Sequence, residues 1–247
     1  MILYKFIAIL YCKLITFYEK LFLKKHIQSK DPLNIDGYQK FQCKHELIEK
    51  LELNETVKVN NYLEKLVLKE LYIFSIIEKI FIENNLSNKI SKITGYNYSI
   101  DFITAYRTYP ILEKEKGGNF YANKWHIDKP FSSNNLKVIV PIKPISIKGG
   151  GIKILSKENT KKISNLKNVN NFYTMESNLN EILVFNPNQC YHKAGNPEND
   201  QIREQIIIQL NPANNWSTNL NIFKKQYLRE PKFPIFSYFF DKRKIIC

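Results

Sequence analysis

The sequence predicts an α+β protein, mainly β with helices gathered at the N-terminus. Three observations carry that expectation. Between Val57 and Glu83, apolar residues such as Leu63, Leu66, Val67, Leu71, Phe74, Ile77 and Ile80 recur at threes and fours, the spacing of a helix face. From Tyr96 onward the texture changes to short alternating runs rich in aromatic and β-branched residues, divided by Pro, Gly and Asn. No internal repeat or low-complexity linker interrupts the 247 residues, so helices packed on a single β-sandwich or barrel are expected.

Taken in order, residues 1–26 read as one helix rich in Ile, Leu, Phe and Tyr. Lys5, Lys13, Thr16, Lys20 and Lys24 fall near helical spacing and leave a wide apolar face. Its charge-free runs are far shorter than the ~20 residues a membrane span requires, and no signal-peptide pattern is evident. The helix either docks on the main domain or lies in a membrane surface with its lysines at the headgroups. Residues 27–56 are polar, with a turn at Asp36-Gly37. Residues 57–83 form one or two amphipathic helices, and Leu86 to Thr94 a shorter one with Gly95 as its C-terminal cap. Tyr98 to Tyr109 is a strand. Further strand-like runs follow at 121–128, 135–142, 150–155, 171–175, 181–186 and 202–210. The organisation is thus a helical region over 1–95, a β core over 96–212, and an aromatic extension over 213–247. That tail either wraps back on the domain or makes a dimer contact.

Lys+Arg 37 against Asp+Glu 23 gives a net charge of +14, which ordinarily invites a nucleic-acid or membrane reading. The excess is largely lysine within a chain saturated in Lys, Asn and Ile. No basic patch interleaved with stacking aromatics accompanies it, so a nucleic-acid partner is not expected. Cys12, Cys43, Cys190 and Cys247 are scattered without metal-finger or redox spacing, consistent with a reduced, cytoplasmic protein, with a membrane-peripheral position as the variant the first helix allows.

The chemistry concentrates between Tyr121 and Pro212. His126 and Asp128, two residues apart in a strand-like run, share a face because strand side chains alternate. His192 arrives from a distant strand, after the apolar run Ile182 to Phe185. Two imidazoles and a carboxylate are the set that suits non-haem Fe(II) and leaves coordination positions open. Arg203 stands eleven residues past His192 (203 − 192 = 11) and offers a guanidinium that takes a carboxylate through two parallel hydrogen bonds. Tyr106 and Arg107, on the preceding strand, either face the pocket or are ordinary strand residues. Asn123 and Trp125 flank the His-x-Asp pair, with Trp125 equally a core residue. Lys137 and Tyr191 are candidates to contact substrate or cosubstrate. Gly149 to Gly151 serve a tight turn or close backbone approach.

These residues resemble the Fe(II)/2-oxoglutarate-dependent oxygenases, and within them the phytanoyl-CoA dioxygenase-like group. The resemblance covers about residues 96–212 and rests on Trp125-His126-Ile-Asp128, Gly149-Gly-Gly151-Ile-Lys-Ile-Leu155, Phe185-Asn-Pro-Asn and His192-x10-Arg203. It implies a double-stranded β-helix core, the jelly-roll, cupin-like fold. It further implies iron held by His126, Asp128 and His192, and Arg203 on the distal carboxylate of 2-oxoglutarate. The implied activity is hydroxylation of a small-molecule substrate with O2, releasing succinate and CO2. Gln209 stands where nucleic-acid demethylases of this family carry a second arginine. Two departures are visible. Ser156-Lys-Glu-Asn replaces the family's Pro-Gly-Ser-His-like turn, and the 64-residue step from Asp128 to His192 (192 − 128 = 64) is short for the group. A cupin-like metal binder that needs no 2-oxoglutarate, and a non-catalytic membrane-associated protein retaining the fold, are the alternatives.

Overall fold

The computed structural model describes residues 2–25, 29–44, 55–111, 121–128, 132–198, 200–220, 222 and 243–245. Helix α1 spans Ile2–Phe22 and a single-turn α2 Pro32–Ile35. Strands β1 (Tyr38–Gln42), β2 (Thr56–Asn60) and β3 (Leu63–Leu66) follow, then α3 (Glu70–Ile77), which continues as a π-helical turn over Glu78–Glu83, and α4 (Leu86–Thr94). After β4 (Asn97–Thr108) come β5 (Leu136–Pro141), β6 (Lys153–Ile154), α5 (Lys157–Lys162), β7 (Tyr173–Thr174), β8 (Glu181–Phe185), β9 (His192–Lys193), β10 (Arg203–Ala213), β11 (Ser217–Asn219) and β12 (Arg243–Ile245).

Two sheets face each other. The larger runs β1-β8-β5-β10-β4-β11-β12, with β3 and then β2 added beside the C-terminal half of β4. The smaller runs β7-β6-β9 and is extended by an antiparallel bridge between His126 and His192. From β4 on, the chain passes repeatedly between the two: β4 in the large sheet, His126 in the small, β5 large, β6 and β7 small, β8 large, β9 small, β10 large. That winding makes the core a double-stranded β-helix, a jelly roll flanked by helices, as expected.

Alternation along the strands sorts their side chains into two cores. Ile206 and Ile208 of β10, Ile103 and Ala105 of β4, Val138 and Val140 of β5, and Ile182 and Val184 of β8 face the helices, where Ile73, Ile80, Phe81 and Ile90 meet them. Ile207, Ile139, Leu183 and Phe185 point the other way, into the space between the sheets, against Ile152, Ile154 and Met175. Helix α4 forms because Leu86, Ile90 and Ile93 recur on one face and are all buried, and Gly95 in the left-handed region (φ 78°) ends it. Trp216 packs on Phe81 and Tyr98, with ring centroids 5.6 Å away in each case, and donates to Ser91 Oγ at 2.7 Å. The start of the C-terminal extension is thereby held against the domain; its residues Phe223, Tyr227, Phe233, Phe236, Tyr238, Phe239 and Phe240 lie outside the described residues.

Two elements differ from the sequence expectation. Residues 57–66, part of the stretch expected to be helical, fall instead in the β2–β3 hairpin. The apolar residues there give mixed signals, Val57 and Val59 being two apart as in a strand and Leu63 and Leu66 three apart as on a helix face. The β-branched Val57 and Val59 with the Asn60-Asn61 turn decide it, since Asn60 Oδ1 accepts from Tyr62 N at 2.9 Å. Residues 121–128, expected as strand, instead make a short 3-10 turn over Tyr121–Asn123 and, among the described residues, pair with the small sheet through a single bridge at His126. The Gly-Gly-Gly run behaves as expected. Gly150 sits at φ 70°, and a Cβ on Gly151 would fall 1.9 Å from the Met175 carbonyl oxygen, so the backbones approach as only glycine allows.

Candidate metal centre

His126 and His192 are joined through their backbones: each amide donates to the other's carbonyl, at 3.0 and 2.9 Å. The register places the two rings side by side, with centroids 4.3 Å apart. Asp128 is brought alongside by its own amide, which donates to the Pro187 carbonyl at 3.1 Å. Pro187 belongs to the Phe185-Asn-Pro-Asn turn, and Asn186 organises that turn. Its Oδ1 accepts from the amides of Asn188 and Gln189, while its Nδ2 donates to Ser133 O at 2.7 Å. One asparagine therefore ties the segment after Asp128 to the segment before His192.

The three side chains converge. Asp128 Oδ1 lies 3.8 Å from His126 Nε2 and 3.5 Å from His192 Nε2, and one ligand atom from each residue falls within 4.8 Å of the others. His126 Nδ1 lies 2.7 Å from the Lys124 carbonyl and His192 Nδ1 3.0 Å from the Cys190 carbonyl. A carbonyl only accepts, so each Nδ1 carries a proton and each Nε2 is turned toward Asp128. Two imidazole nitrogens and a carboxylate oxygen converging on one point are a donor set that could hold a cation, and the outward Nδ1–H bonds are the support metal-binding imidazoles use. Burial lowers the His126 pKa, more than the Lys124 carbonyl raises it. Burial pushes the Asp128 carboxyl up, but His192 and the Lys137 ammonium outweigh it and hold it well below the usual carboxylate range.

Lys137, a candidate for cosubstrate contact, forms an ion pair with Asp128 Oδ2, leaving Oδ1 to face the histidines. It stands on β5 in register with Gln209 and Phe185, and the Phe185 ring backs His192 edge-on at 5.1 Å. Arg203 shares the inner face of β10 with Ile207 and is 5 % exposed. Its Nη1 donates to the Gly195 carbonyl at 2.9 Å, and its Nη2 reaches Thr108 Oγ1 at 3.4 Å. Among the described residues Nε has no hydrogen-bond partner and no carboxylate pairs with the guanidinium; burial alone draws its pKa down to about 10.

The other candidates are distributed differently. Tyr106 shares the inner face with Arg203, since it pairs with Gln205. Arg107 lies on the opposite face, bound to Glu204 at 2.5 Å and to Glu64 at 3.6 Å, and Tyr109 donates to Glu64 at 2.9 Å. Trp125 points away from His126, its neighbour in the chain. Its ring meets Phe172 at 5.6 Å and carries Lys193 Nζ 4.9 Å above it, on the outside of the small sheet. Asn123 is half-buried in the 3-10 turn, next to the Ala122 carbonyl that accepts from Ala194 N. Tyr191 is held through its backbone, its amide donating to Thr160 Oγ1 at 3.0 Å and its carbonyl accepting from Leu155 N at 2.9 Å. Sequence reading missed Asn186, Thr108 and the carbonyls of Lys124, Cys190 and Gly195. Only Asn-Pro-Asn carried a visible turn signal; carbonyls have none.

No protein-family model and no curated protein matches the chain. Among solved structures it is similar to the non-heme α-ketoglutarate-dependent epimerase SnoN from nogalamycin biosynthesis, with a TM-score of 0.51 and 11% identity over 73% of this chain and 80% of that one. It is also similar to HygX from Streptomyces hygroscopicus with nickel and 2-oxoglutarate bound, with a TM-score of 0.50 and 10% identity over 73% of this chain and 84% of that one. At these identities the likeness is one of fold, the double-stranded β-helix with flanking helices.

Proposed function

We propose that this protein is an Fe(II)- and 2-oxoglutarate-dependent dioxygenase that hydroxylates a small-molecule substrate, with release of succinate and CO2. His126, Asp128 and His192 would hold the iron, and Arg203 the distal carboxylate of 2-oxoglutarate. The observation that carries the reading is Arg203. A buried guanidinium without an acidic partner is costly unless an anion completes it, and this one shares the inner face of the large sheet with Lys137, which contacts Asp128. A metal-binding cupin with no acidic cosubstrate has no use for that charge. The family resemblance, within it to the phytanoyl-CoA dioxygenase-like group, agrees, and Gln209 in place of a second arginine disfavours a nucleic-acid demethylase.

When bound, iron and 2-oxoglutarate supply the oxidising chemistry with O2. The chain's part is binding and orientation. The Lys124 and Cys190 carbonyls fix both imidazole tautomers, Lys137 holds Asp128 so that one oxygen faces the histidines, and Phe185 fixes the His192 ring plane.

Anaerobic Fe(II) titration with and without 2-oxoglutarate tests this, read by the weak visible charge-transfer band of the ternary complex. The band is expected to need both components and to vanish in His192→Ala. Iron binding with no response to 2-oxoglutarate would move the protein to the metal-binding reading. A folded protein that binds no iron would end both.

A further inference from the structure

Helix α1 turns an apolar stripe outward. Leu10, Leu14, Phe17 and Leu21, spaced by four, three and four residues, are 49, 55, 61 and 58 % exposed. They form one continuous apolar stripe along the helix. Lys13 and Lys20 are exposed on one flank of that stripe, and the exposed Lys24 follows just beyond the end of the helix. The opposite face is committed to the domain. Ile15, Glu19 and Leu23 are buried, Glu19 accepts hydrogen bonds from Ser132 Oγ and from Asn134 Nδ2, and Thr16 Oγ1 accepts from Ser133 N at 3.1 Å. The helix is therefore pinned in rotation. The stripe cannot turn inward without breaking a buried carboxylate from its donors, which is costly.

We propose that α1 seats this protein on an anionic lipid bilayer, lying in the interface with Leu10, Leu14, Phe17 and Leu21 among the acyl chains and the lysines at the headgroups. Charge selects this occupant. A row of lysines beside an apolar stripe is the arrangement of interfacial helices, whose long stems reach up to anionic headgroups. A second copy of a chain carrying +14 would bring like charge onto like charge. No described helix is long and apolar enough to cross a membrane, so the contact is with the surface.

Co-sedimentation of the full chain with phosphatidylcholine vesicles, with and without about 30 mol % phosphatidylglycerol, tests the proposal. At low salt, binding to anionic vesicles is expected to exceed binding to neutral ones by at least about tenfold and to weaken with added salt. Leu14→Glu with Phe17→Glu should abolish it, and Lys13→Gln with Lys20→Gln and Lys24→Gln should reduce it severalfold. Both sets replace exposed side chains, and unchanged thermal unfolding would show that the fold is kept. Absence of binding to anionic vesicles, or binding that neither set alters, would overturn the proposal. So would a dimer in light scattering that dissociates in the Leu14/Phe17 variant, which would make the stripe a self-interface. The assay needs no metal and no turnover, so its result stands apart from the oxygenase reading.

Discussion

Two arginines sit one register position apart on neighbouring strands and face opposite ways. Arg107 of β4 pairs with Glu204, and Arg203 of β10 pairs with Thr108. On the helix side, Arg107 is compensated by Glu204 and Glu64, and Glu204 is shared with Lys143 at 3.2 Å. On the inner side, Arg203 has a carbonyl and a hydroxyl but no acid among the described residues. The same side chain thus plays two parts. One closes an ion-pair network that is complete in the folded chain. The other has, among the described residues, only a carbonyl and a hydroxyl as partners, which is why we propose an anion for it.

The sharpest way to break this contrast is to remove each guanidinium in turn. Arg203→Met should weaken 2-oxoglutarate binding by roughly two orders of magnitude, since truncating one partner of a buried charge pair costs a few kcal/mol, while leaving the thermal midpoint of the unliganded protein unchanged or raised. Calorimetric titration and thermal unfolding on the same sample read both, and an Arg203→Met protein with full affinity would sink the assignment. Arg107→Ala should do the reverse. Cosubstrate affinity should stay as it was, and stability should fall by about 2 kcal/mol because Glu204 stays buried with Lys143 as its remaining partner. Equal effects of the two changes on binding would mean that the face rule fails.

A smaller effect concerns pH. Arg203 has its folded pKa drawn down to about 10, below the unfolded value. Between the two values the unfolded chain binds the extra proton, so stability rises with pH across that window and the cost of the buried charge applies below it. Wild type should therefore gain stability relative to Arg203→Met as pH climbs through about 10 in chemical-denaturation curves, and its 2-oxoglutarate affinity should fall over the same range. Parallel curves for the two proteins would contradict a buried, uncompensated guanidinium.

Much of this was legible in the chain. The apolar period of Leu86 to Thr94 ended at a glycine, and the helix ends there. The alternating run before Tyr109 became β4, and the spacing from His126 through Asp128 to His192 brought three ligand-type atoms to one point. What escaped has a common cause: single-chain periodicity does not say which partner a segment finds. Leu63 and Leu66, three apart, fit a helix face as well as a hairpin until β3 pairs with β2 and β4. Arg107 and Tyr106 look alike as polar members of a strand until the register assigns them opposite faces. Lys137 reads as a free cation until the fold sets it against Asp128.

The reciprocal amide bonds between His126 and His192 carry a last consequence. The two residues are 66 positions apart (192 − 126 = 66), yet the backbone alone keeps them together, whatever lies between their rings. A metal entering this site spends little of its binding free energy on closing the intervening loop, because folding has already met that entropy. Chelation should then empty the centre without loosening it. The amides of His126 and His192 should exchange with solvent as slowly in the stripped protein as in the loaded one, and the site would be refilled by simple addition of the ion.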